Sequence, residues 1–301
     1  MSFKLDHIVI AVHDLDTAIH DYRTLGFNVL PGGDHPGRAT HNALVVFEDG
    51  VYFELIAWKK PAPEERWWQL LQRHGEGIVD YALLPSDTLQ AVASASLRGL
   101  MLEGPIDGGR LRPDGERLRW QTARPRSSDL PFLCGDLTPR ALRVPEGDAR
   151  VHPNGVLGVA SLSVAVDDVD ATLARFRALL GPNADEACTH VGEAVSLPAA
   201  GARVALLTLG SNVLVLSAPR LLREDGRAQG LPLAQQLATR GQGPYALVLQ
   251  TAGGAAGLLD QARTHGAAIE LDPALRELHA QFRANVVEAS QAVSVHRTVG
   301  G

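Results

Sequence analysis

The chain has little cysteine, few aromatic residues and no excess of positive charge. Its 301 residues include two cysteines, and aromatic residues make up only 5%. Cys134 and Cys188 lie far apart in sequence and lack metal-site spacing, which excludes a disulfide scaffold and a cysteine-rich zinc site. With 28 Lys and Arg against 34 Asp and Glu, the net charge is −6. A basic surface for nucleic-acid binding is therefore not expected.

Long apolar segments and an amino-terminal targeting signal are also absent. No stretch reaches the roughly 20 apolar residues of a membrane helix, and Lys4, Asp6 and His7 lie in the strand-like run at the start. We therefore expect a cytoplasmic protein that is not membrane-bound. The content of 45% hydrophobic and 21% charged residues is that of a globular protein. The length predicts about two domains.

The first sixty residues form a strand–helix–strands pattern. Phe3–Val12 is short and rich in β-branched residues, which predicts a strand. Asp14 is placed to cap a helix that Gly26 ends. Asp49-Gly50, between two apolar runs, predicts a β-hairpin. The unit is therefore a β-α-β-β-β module.

Similar patterns begin near residues 77, 159 and 245, so the module occurs four times. In the fourth copy we predict a helix over 255–265 and the last two strands between 281 and 298. Short connector helices join module one to two and three to four. The Pro- and Gly-containing stretch 142–155 then separates two pairs of modules. We expect domains at 1–145 and 155–301.

The run LDHIVIAVHDLDTAIHDYRTLGFNV, with the later segment YFELIAW, resembles the vicinal oxygen chelate superfamily. That superfamily includes glyoxalase, bleomycin-resistance and extradiol dioxygenase proteins, and the closest likeness is to glyoxalase-like domain proteins. The resemblance is most specific over residues 3–58. It implies an α+β fold in which four βαβββ modules pair into two half-barrel domains. It also implies that metal ligands come from the first and last strands of each module, and that a homodimer forms.

Two residues match the ligand positions in the first module. His7 stands at the first-strand position and Glu54 at the last-strand position. A two-residue turn at Asp49-Gly50 would pair Val45 with Glu54 and place Glu54 on the same face as His41. Because a buried carboxylate needs a partner, we expect His7 and Glu54 to form a functional pocket.

The second module matches less well. Alignment of the helix caps places Asp80 at the position of His7, so Asp80 is the third candidate metal ligand. Alignment of Phe132 with Phe53 places Leu133 at the position of Glu54, and a shifted alignment would instead offer Cys134 or Asp136. The second pair of modules offers small or apolar residues at three corresponding positions: Ser161, Val215 and Ala246. Any chemistry is therefore expected in residues 1–150.

The glycine-rich loop of the first module adds three candidate substrate-binding residues. They are His35, Arg38 and His41, in the segment GGDHPGRATHN. Loops at the mouth of a pocket often contact ligands, and a guanidinium can bind a carboxylate or phosphate in two-pronged fashion. A solvated polar turn is the alternative interpretation of this segment.

These residues and the resemblance lead to two functional hypotheses. In the first, His7 and Glu54, with Asp80, bind a divalent ion (Zn, Mn, Fe, Ni or Co). The ion chelates a small oxygen-rich substrate in a lyase or isomerase reaction and stabilises an enolate or oxyanion, with Glu54 and His7 as catalytic residues. Glu54 as a proton-transferring base is a variant of this hypothesis. In the second hypothesis, the protein binds a small molecule without a metal and sequesters it.

Overall fold

A computed structural model describes residues 2–111, 115–182, 189–219, 231–253 and 255–273. It is a mixed α and β structure built on two curled eight-stranded sheets. Within the described segments, no helix combines the length and the apolar character needed to cross a bilayer. Cys188 and the predicted strands between 281 and 298 lie outside the described residues.

The first sheet has the strand order β2-β3-β4-β1-β5-β8-β7-β6. Strands β1 and β5 are antiparallel neighbours at its centre, and each pairs in parallel with the last strand of its own module. The strands are β1 (Phe3–Ala11), β2 (Leu30–Asp34), β3 (Thr40–Val46), β4 (Tyr52–Trp58), β5 (Gly77–Pro85), β6 (Leu102–Leu111), β7 (Arg117–Pro125) and β8 (Phe132–Asp136). The helices are α1 (Leu15–Thr24), α2 (Arg66–His74), α3 (Thr88–Leu97) and the short α4 (Arg140–Arg143).

The second sheet repeats this arrangement around β9 and β14. Its strands are β9 (Val156–Ala165), β10 (Thr189–Val191), β11 (Val195–Leu197), β12 (Ala202–Leu209), β13 (Asn212–Pro219), β14 (Gly243–Thr251), β15 (Gly257–Leu258) and β16 (Ala268–Asp272). The helices that accompany it are α5 (Val169–Leu180) and α6 (Leu231–Arg240). The four modules therefore pair into two half-barrels, as predicted.

The repeat is encoded locally by helix caps. Asp14, Asp87 and Asp168 each accept a hydrogen bond from the backbone N–H three residues later, at 2.7, 2.8 and 3.0 Å. Each cap satisfies an amide that the helix itself leaves unpaired. The predicted helix over 255–265 is wrong, because this segment holds the short strand β15 and then turns.

One apolar core joins the helix-facing sides of both sheets. It contains Ile8 and Ile10 of β1 together with Leu162 and Val164 of β9. The opposite face of the first sheet carries a smaller apolar cluster around Val9, which is packed with residues of β4, β5 and β8. This second face curves around a cavity, and the candidate functional side chains project from it.

Candidate functional site

The cavity on the concave face of the first sheet has a volume of about 510 Å³. Strand β1 contributes His7, strand β3 contributes Asn42 and strand β4 contributes Glu54. His7 and Glu54 are only 3% and 8% exposed. Both lie among apolar neighbours, so their polar atoms must find partners within the cavity wall.

His7 and Glu54 come together as the sequence predicts. His7 Nε2 lies 3.6 Å from Glu54 Oε2, which is too long for a direct hydrogen bond. The other ring nitrogen, Nδ1, lies 2.7 Å from Asp6 Oδ2. Because an ionised carboxylate accepts hydrogen bonds, Nδ1 carries a proton, and Nε2 is the ring nitrogen that faces Glu54.

A buried charge cluster holds Asp6 in its ionised form. Burial alone would raise the pKa of Asp6, but Arg143, the hydrogen bond from His7 and Arg140 together hold that pKa well below its usual value. Arg143 also donates to Asp136 at 2.6 Å and to the Tyr52 hydroxyl at 2.7 Å.

Tyr52 extends this support to the imidazole itself. Its ring stacks on His7 at a centroid distance of 4.7 Å, and Phe132 meets the other side of His7 edge-on at 5.3 Å. The orientation of His7 is therefore fixed by Asp6 through a hydrogen bond and by two aromatic rings through packing.

The other carboxylate oxygen of Glu54 has its own partners. Asn42 donates to Oε1 at 2.7 Å, and His35 Nε2 lies 3.5 Å from the same oxygen. His35 Nδ1 lies 2.8 Å from the Thr40 hydroxyl oxygen. Burial lowers the pKa of His35, although Glu54 opposes the shift, so this imidazole is neutral at pH 7. Glu54 Oε2 remains the oxygen that faces His7 and the cavity.

The predicted register of the hairpin is wrong by one residue. Phe47 and Val51 close the turn through a backbone hydrogen bond of 2.9 Å, which leaves a loop of Glu48, Asp49 and Gly50. Gly50 has a φ of 81°, the left-handed conformation typical of the third residue of such a loop. A loop with one more residue than predicted moves every pair of the hairpin by one position.

This shift changes which residue accompanies Glu54. Glu54 lies opposite Leu44, and Asn42 shares its face. His41 lies opposite Ala57 on the alternate face, because successive strand residues point to opposite sides. The side chain of His41 is therefore not part of the cavity wall, and Asn42 is the residue that sequence reasoning missed.

The loop between β2 and β3 places two of the three predicted substrate-binding residues at the cavity. His35 and Arg38 both line it. The backbone N–H of Arg38 donates to the His35 carbonyl oxygen at 3.0 Å, which shapes the loop as a turn. Contact of these two side chains with a substrate stays a prediction.

Asp80 lies in a separate cluster from His7 and Glu54. Its carboxylate accepts hydrogen bonds from Trp67 Nε1 at 2.8 Å, Arg124 Nη1 at 3.2 Å and Arg66 Nη1 at 3.4 Å. It also accepts the backbone N–H of Tyr81 at 2.9 Å. The oxygens of Asp80 are thus committed to protein donors.

The remaining ligand position of the first sheet is apolar. Glu54 lies opposite the residue two places after His7, and Phe132 lies opposite the residue two places after Asp80. Phe132 is thus the counterpart of Glu54. The Arg124 guanidinium carbon lies 4.3 Å from the centre of the Phe132 ring. The alternatives named from the sequence do not occupy this position: Leu133, Cys134 and Asp136.

A different triad within the described residues brings potential metal donors within 4.8 Å of one another: Asp6, His7 and Cys134. Its chemistry does not suit an ion, because the Asp6 carboxylate is already bound to Arg140, Arg143 and His7. Burial raises the pKa of Cys134 to about 12, so the side chain is a thiol and not the thiolate that binds metals. The donor atoms of this triad are therefore committed to protein partners or protonated.

The profile of the glyoxalase-like domain family matches residues 5–180, more than half of the chain. The chain therefore belongs to the glyoxalase-like domain family, within the vicinal oxygen chelate superfamily. Members of this superfamily bind small-molecule substrates and commonly use divalent metal ions. No curated protein sequence matches the chain significantly.

Solved structures with the same fold cover most of the chain. A hypothetical protein from Staphylococcus aureus has a TM-score of 0.65 at 14% identity, and the alignment covers 90% of this chain and 99% of that one. A mutant of 4-hydroxymandelate synthase from Streptomyces coelicolor has a TM-score of 0.55 at 18% identity, with coverage of 83% and 72%. At these identities the likeness shows the shared fold.

Proposed function

We propose that this chain catalyses proton transfer in a small oxygen-rich substrate, as an isomerase or a lyase, with Glu54 and His7 as the reacting groups. The observation that carries the proposal is the convergence of Glu54 Oε2 and His7 Nε2 at 3.6 Å in a cavity of about 510 Å³. Burial of a carboxylate and an imidazole on apolar strands costs free energy. Convergent polar groups in a cavity of this size are typical of ligand sites.

Glu54 is the base in this proposal. Asn42 occupies Oε1, so Oε2 is the oxygen that takes a proton from a substrate carbon beside a carbonyl group. The electron pair of the broken C–H bond moves to the carbonyl oxygen, which becomes an enolate oxygen. His7 Nε2 accepts the proton from Glu54. In an isomerase acting on a 2-hydroxyketone, His7 donates this proton to the former carbonyl carbon, while the hydroxyl on the deprotonated carbon becomes the new carbonyl and its own proton passes to the enolate oxygen. In a lyase, His7 protonates a leaving group on the carbon next to the deprotonated one as the carbonyl re-forms.

Asp6 is a positioning residue for this step. When His7 Nε2 accepts a proton, the ring becomes an imidazolium, and the buried carboxylate 2.7 Å from Nδ1 stabilises that charge. The stacked ring of Tyr52 keeps Nε2 directed at the cavity. Both supports are in place before a substrate arrives, so the site is preorganised.

No step of the proposed reaction passes through a metal ion. The ligand positions of the first and last strands supply two side chains for an ion, His7 and Glu54, because the counterpart positions hold the paired Asp80 and the apolar Phe132. A stable divalent site ordinarily needs three or four protein ligands. The negative charge of the enolate must then be balanced by a group of the chain.

Deuterium exchange tests the proposal. The purified protein is incubated in D₂O with 2-oxo acids, 2-hydroxyketones and 1,3-dicarbonyl compounds, and the loss of C–H signals is followed by NMR. We expect catalysed exchange with at least one of these classes. Glu54→Gln should slow it by about a hundredfold or more, because the amide cannot take the proton.

The matched control is Glu270→Gln. Glu270 lies on β16 of the second sheet, exposed to solvent, and its substitution should leave the exchange rate unchanged. Exchange that survives in Glu54→Gln would contradict the proposal. Tight binding of a compound without any catalysed exchange would instead support a sequestration protein.

A further inference from the structure

A second cavity adjoins the first at the β5 and β8 side of the sheet. Its volume is about 480 Å³. Five side chains form part of the wall of both cavities, so a ligand held at one can extend into the other: Arg38, Glu65, Trp67, Arg124 and Phe132. None of these five is a reacting group of the proposed proton transfer.

Arg124 is held rigidly between the two cavities. Its guanidinium carbon lies 4.6 Å from the centre of the Trp67 ring and 4.3 Å from that of Phe132. Its Nη1 donates to Asp80 at 3.2 Å. Cation–π contacts on two rings and one ion pair restrict the rotation of an otherwise flexible side chain.

Most of the hydrogen-bonding capacity of Arg124 is free. A guanidinium has five N–H donors, and within the described segments the bond to Asp80 is the one that Arg124 makes. The side chain is 37% exposed, and that exposure faces the cavities it lines. The remaining N–H groups of Arg124 are therefore available to bind a hydrogen-bond acceptor on a ligand.

The charge of the second cavity also favours an anion. Four arginines stand against two carboxylates in its wall, and Asp80 is shared by two of these arginines, Arg66 and Arg124. Arg38 makes no side-chain hydrogen bond or ion pair with any residue in the described ranges. A cavity wall with excess positive charge concentrates anions and strengthens their binding.

We propose that Arg124, together with Arg38, forms a subsite for an anionic oxygen group, a carboxylate or a phosphate, and that the substrate of the reaction proposed above is consequently an anion. Arg124 lies beside Asp80 and Phe132. These two residues are the counterparts in the second module of His7 and Glu54. There the fixed guanidinium holds the anionic end of the substrate while its carbonyl-bearing carbon lies at Glu54. Planar donors of this kind match the two oxygens of a carboxylate or phosphate.

The test is the binding of simple anions to the full chain. Malonate and inorganic phosphate are titrated separately, and Trp67, in contact with Arg124, provides an intrinsic fluorescence signal. We expect at least one anion to bind, and the stronger of the two identifies the headgroup. Dimethyl malonate, which is neutral, should not bind comparably. In Arg124→Gln the Kd should rise about tenfold or more, as for the loss of charged hydrogen bonds.

Two further variants separate a binding role from a structural one. Arg124→Lys keeps the charge and loses the planar fork, so we expect an intermediate Kd with an unchanged unfolding midpoint. Arg203→Gln is the matched control, because Arg203 is 39% exposed and pairs with Asp170 in the second half, and its Kd should equal that of the wild type. Equal Kd values in Arg124→Gln and Arg203→Gln, or no binding of either anion, would overturn the proposal.

Failure of the anion subsite can be distinguished from failure of the proposed proton-transfer function. Glu54→Gln should still bind the anion, since Glu54 is a reacting group and contributes negative charge to the cavity. If anions fail to bind while Glu54-dependent exchange persists, only the anion subsite is refuted. If anions bind through Arg124 while Glu54→Gln exchanges protons at the wild-type rate, only the proton-transfer function is refuted.

Discussion

The two sheets share one strand register and differ in the residues placed on it. In the first sheet His7 lies opposite Tyr52 on β4 and Ala82 on β5. In the second sheet Ser161 lies opposite Val213 on β13 and Val248 on β14. Ser161 is therefore the counterpart of His7, as the sequence alignment of the modules predicted.

The same register extends the comparison to the two carboxylates. Glu54 follows Tyr52 by two residues, and Val215 follows Val213 by two. Ala246 occupies the counterpart position of Asp80. A half-barrel therefore forms with small and apolar residues at all three positions. Because buried polar groups cost free energy that the fold does not require, we propose that the first sheet carries the reaction.

The largest expected effect comes from making the first sheet resemble the second. His7→Ser and Glu54→Val each install the residue type of the second sheet. We expect each to lower the rate of deuterium exchange by about a hundredfold or more, because each removes a group that takes or returns the proton. NMR in D₂O measures the rate.

The control variants are Ser161→Ala and Val215→Ala. They alter the second sheet at the same register positions, and the exchange rate should not change beyond experimental error. A comparable loss of rate in these variants would mean that the second sheet takes part in the reaction and that the contrast between the halves is mistaken.

A smaller effect, on the free energy of unfolding, is expected when an ion pair of each half is removed. Arg143 is 8% exposed and pairs with the fully buried Asp6, whereas Arg203 and Asp170 pair at the surface of the second half. Arg143→Met should lower the free energy of unfolding by about 3–5 kcal/mol, because it leaves buried carboxylates without their main partner. Arg203→Met should leave it unchanged within error. Urea unfolding measures both, and similar losses would contradict the contrast.

Features with a local cause could be predicted from the sequence. Asp14 and Asp168 cap their helices because a side-chain oxygen can reach an amide within one turn. The pairing of His7 with Glu54 could also be predicted, because it needs only the strand order of the module. The predicted helix over 255–265 failed since its apolar spacing is outweighed by turns around a buried His265 with a φ of 53°.

The finer parts of the site depend on distances that a sequence does not encode directly. A loop of three residues in place of two put Asn42, and not His41, beside Glu54. No local pattern indicates that Arg124, near the end of β7, pairs with Asp80 and lies against Trp67. Trp67 lies on α2 and Arg124 on β7, so their contact depends on how the helix packs against the sheet and not on a local spacing.

A modest dependence of folding stability on pH is expected from His152, which lies in the segment between the two halves. His152 accepts the backbone N–H of Asn28 at 3.0 Å and lies 3.0 Å from the Val46 carbonyl oxygen. Burial lowers the pKa of His152 below its usual 6.5, although the bond to Val46 opposes the shift. The unfolded chain therefore binds a proton first as the pH falls through 6.5, and stability decreases from there down to the lowered pKa.

His152→Gln should make this decrease below pH 6.5 shallower, since an amide does not titrate. The burial of His35 contributes a shift of the same sign, so the dependence should not vanish. His20, exposed on α1, is the control, and His20→Gln should leave the slope unchanged. Urea unfolding at several pH values measures the slope, and an identical slope in His152→Gln would contradict the assignment.

The smallest expected effect is that of metal removal. It tests whether the proposed reaction of the first sheet depends on a metal ion. Because Asp80 is committed to protein donors and Phe132 offers no ligand atom, dialysis against EDTA should leave the exchange rate unchanged within error. Elemental analysis of protein from metal-supplemented medium should find no stoichiometric Zn, Mn, Fe, Ni or Co. Either a bound ion that disappears in His7→Ala, or a rate restored only by one of these ions, would contradict this. Two protein ligands would then suffice for an ion whose other positions are filled by water and substrate, and Glu54 would be a ligand before it is a base.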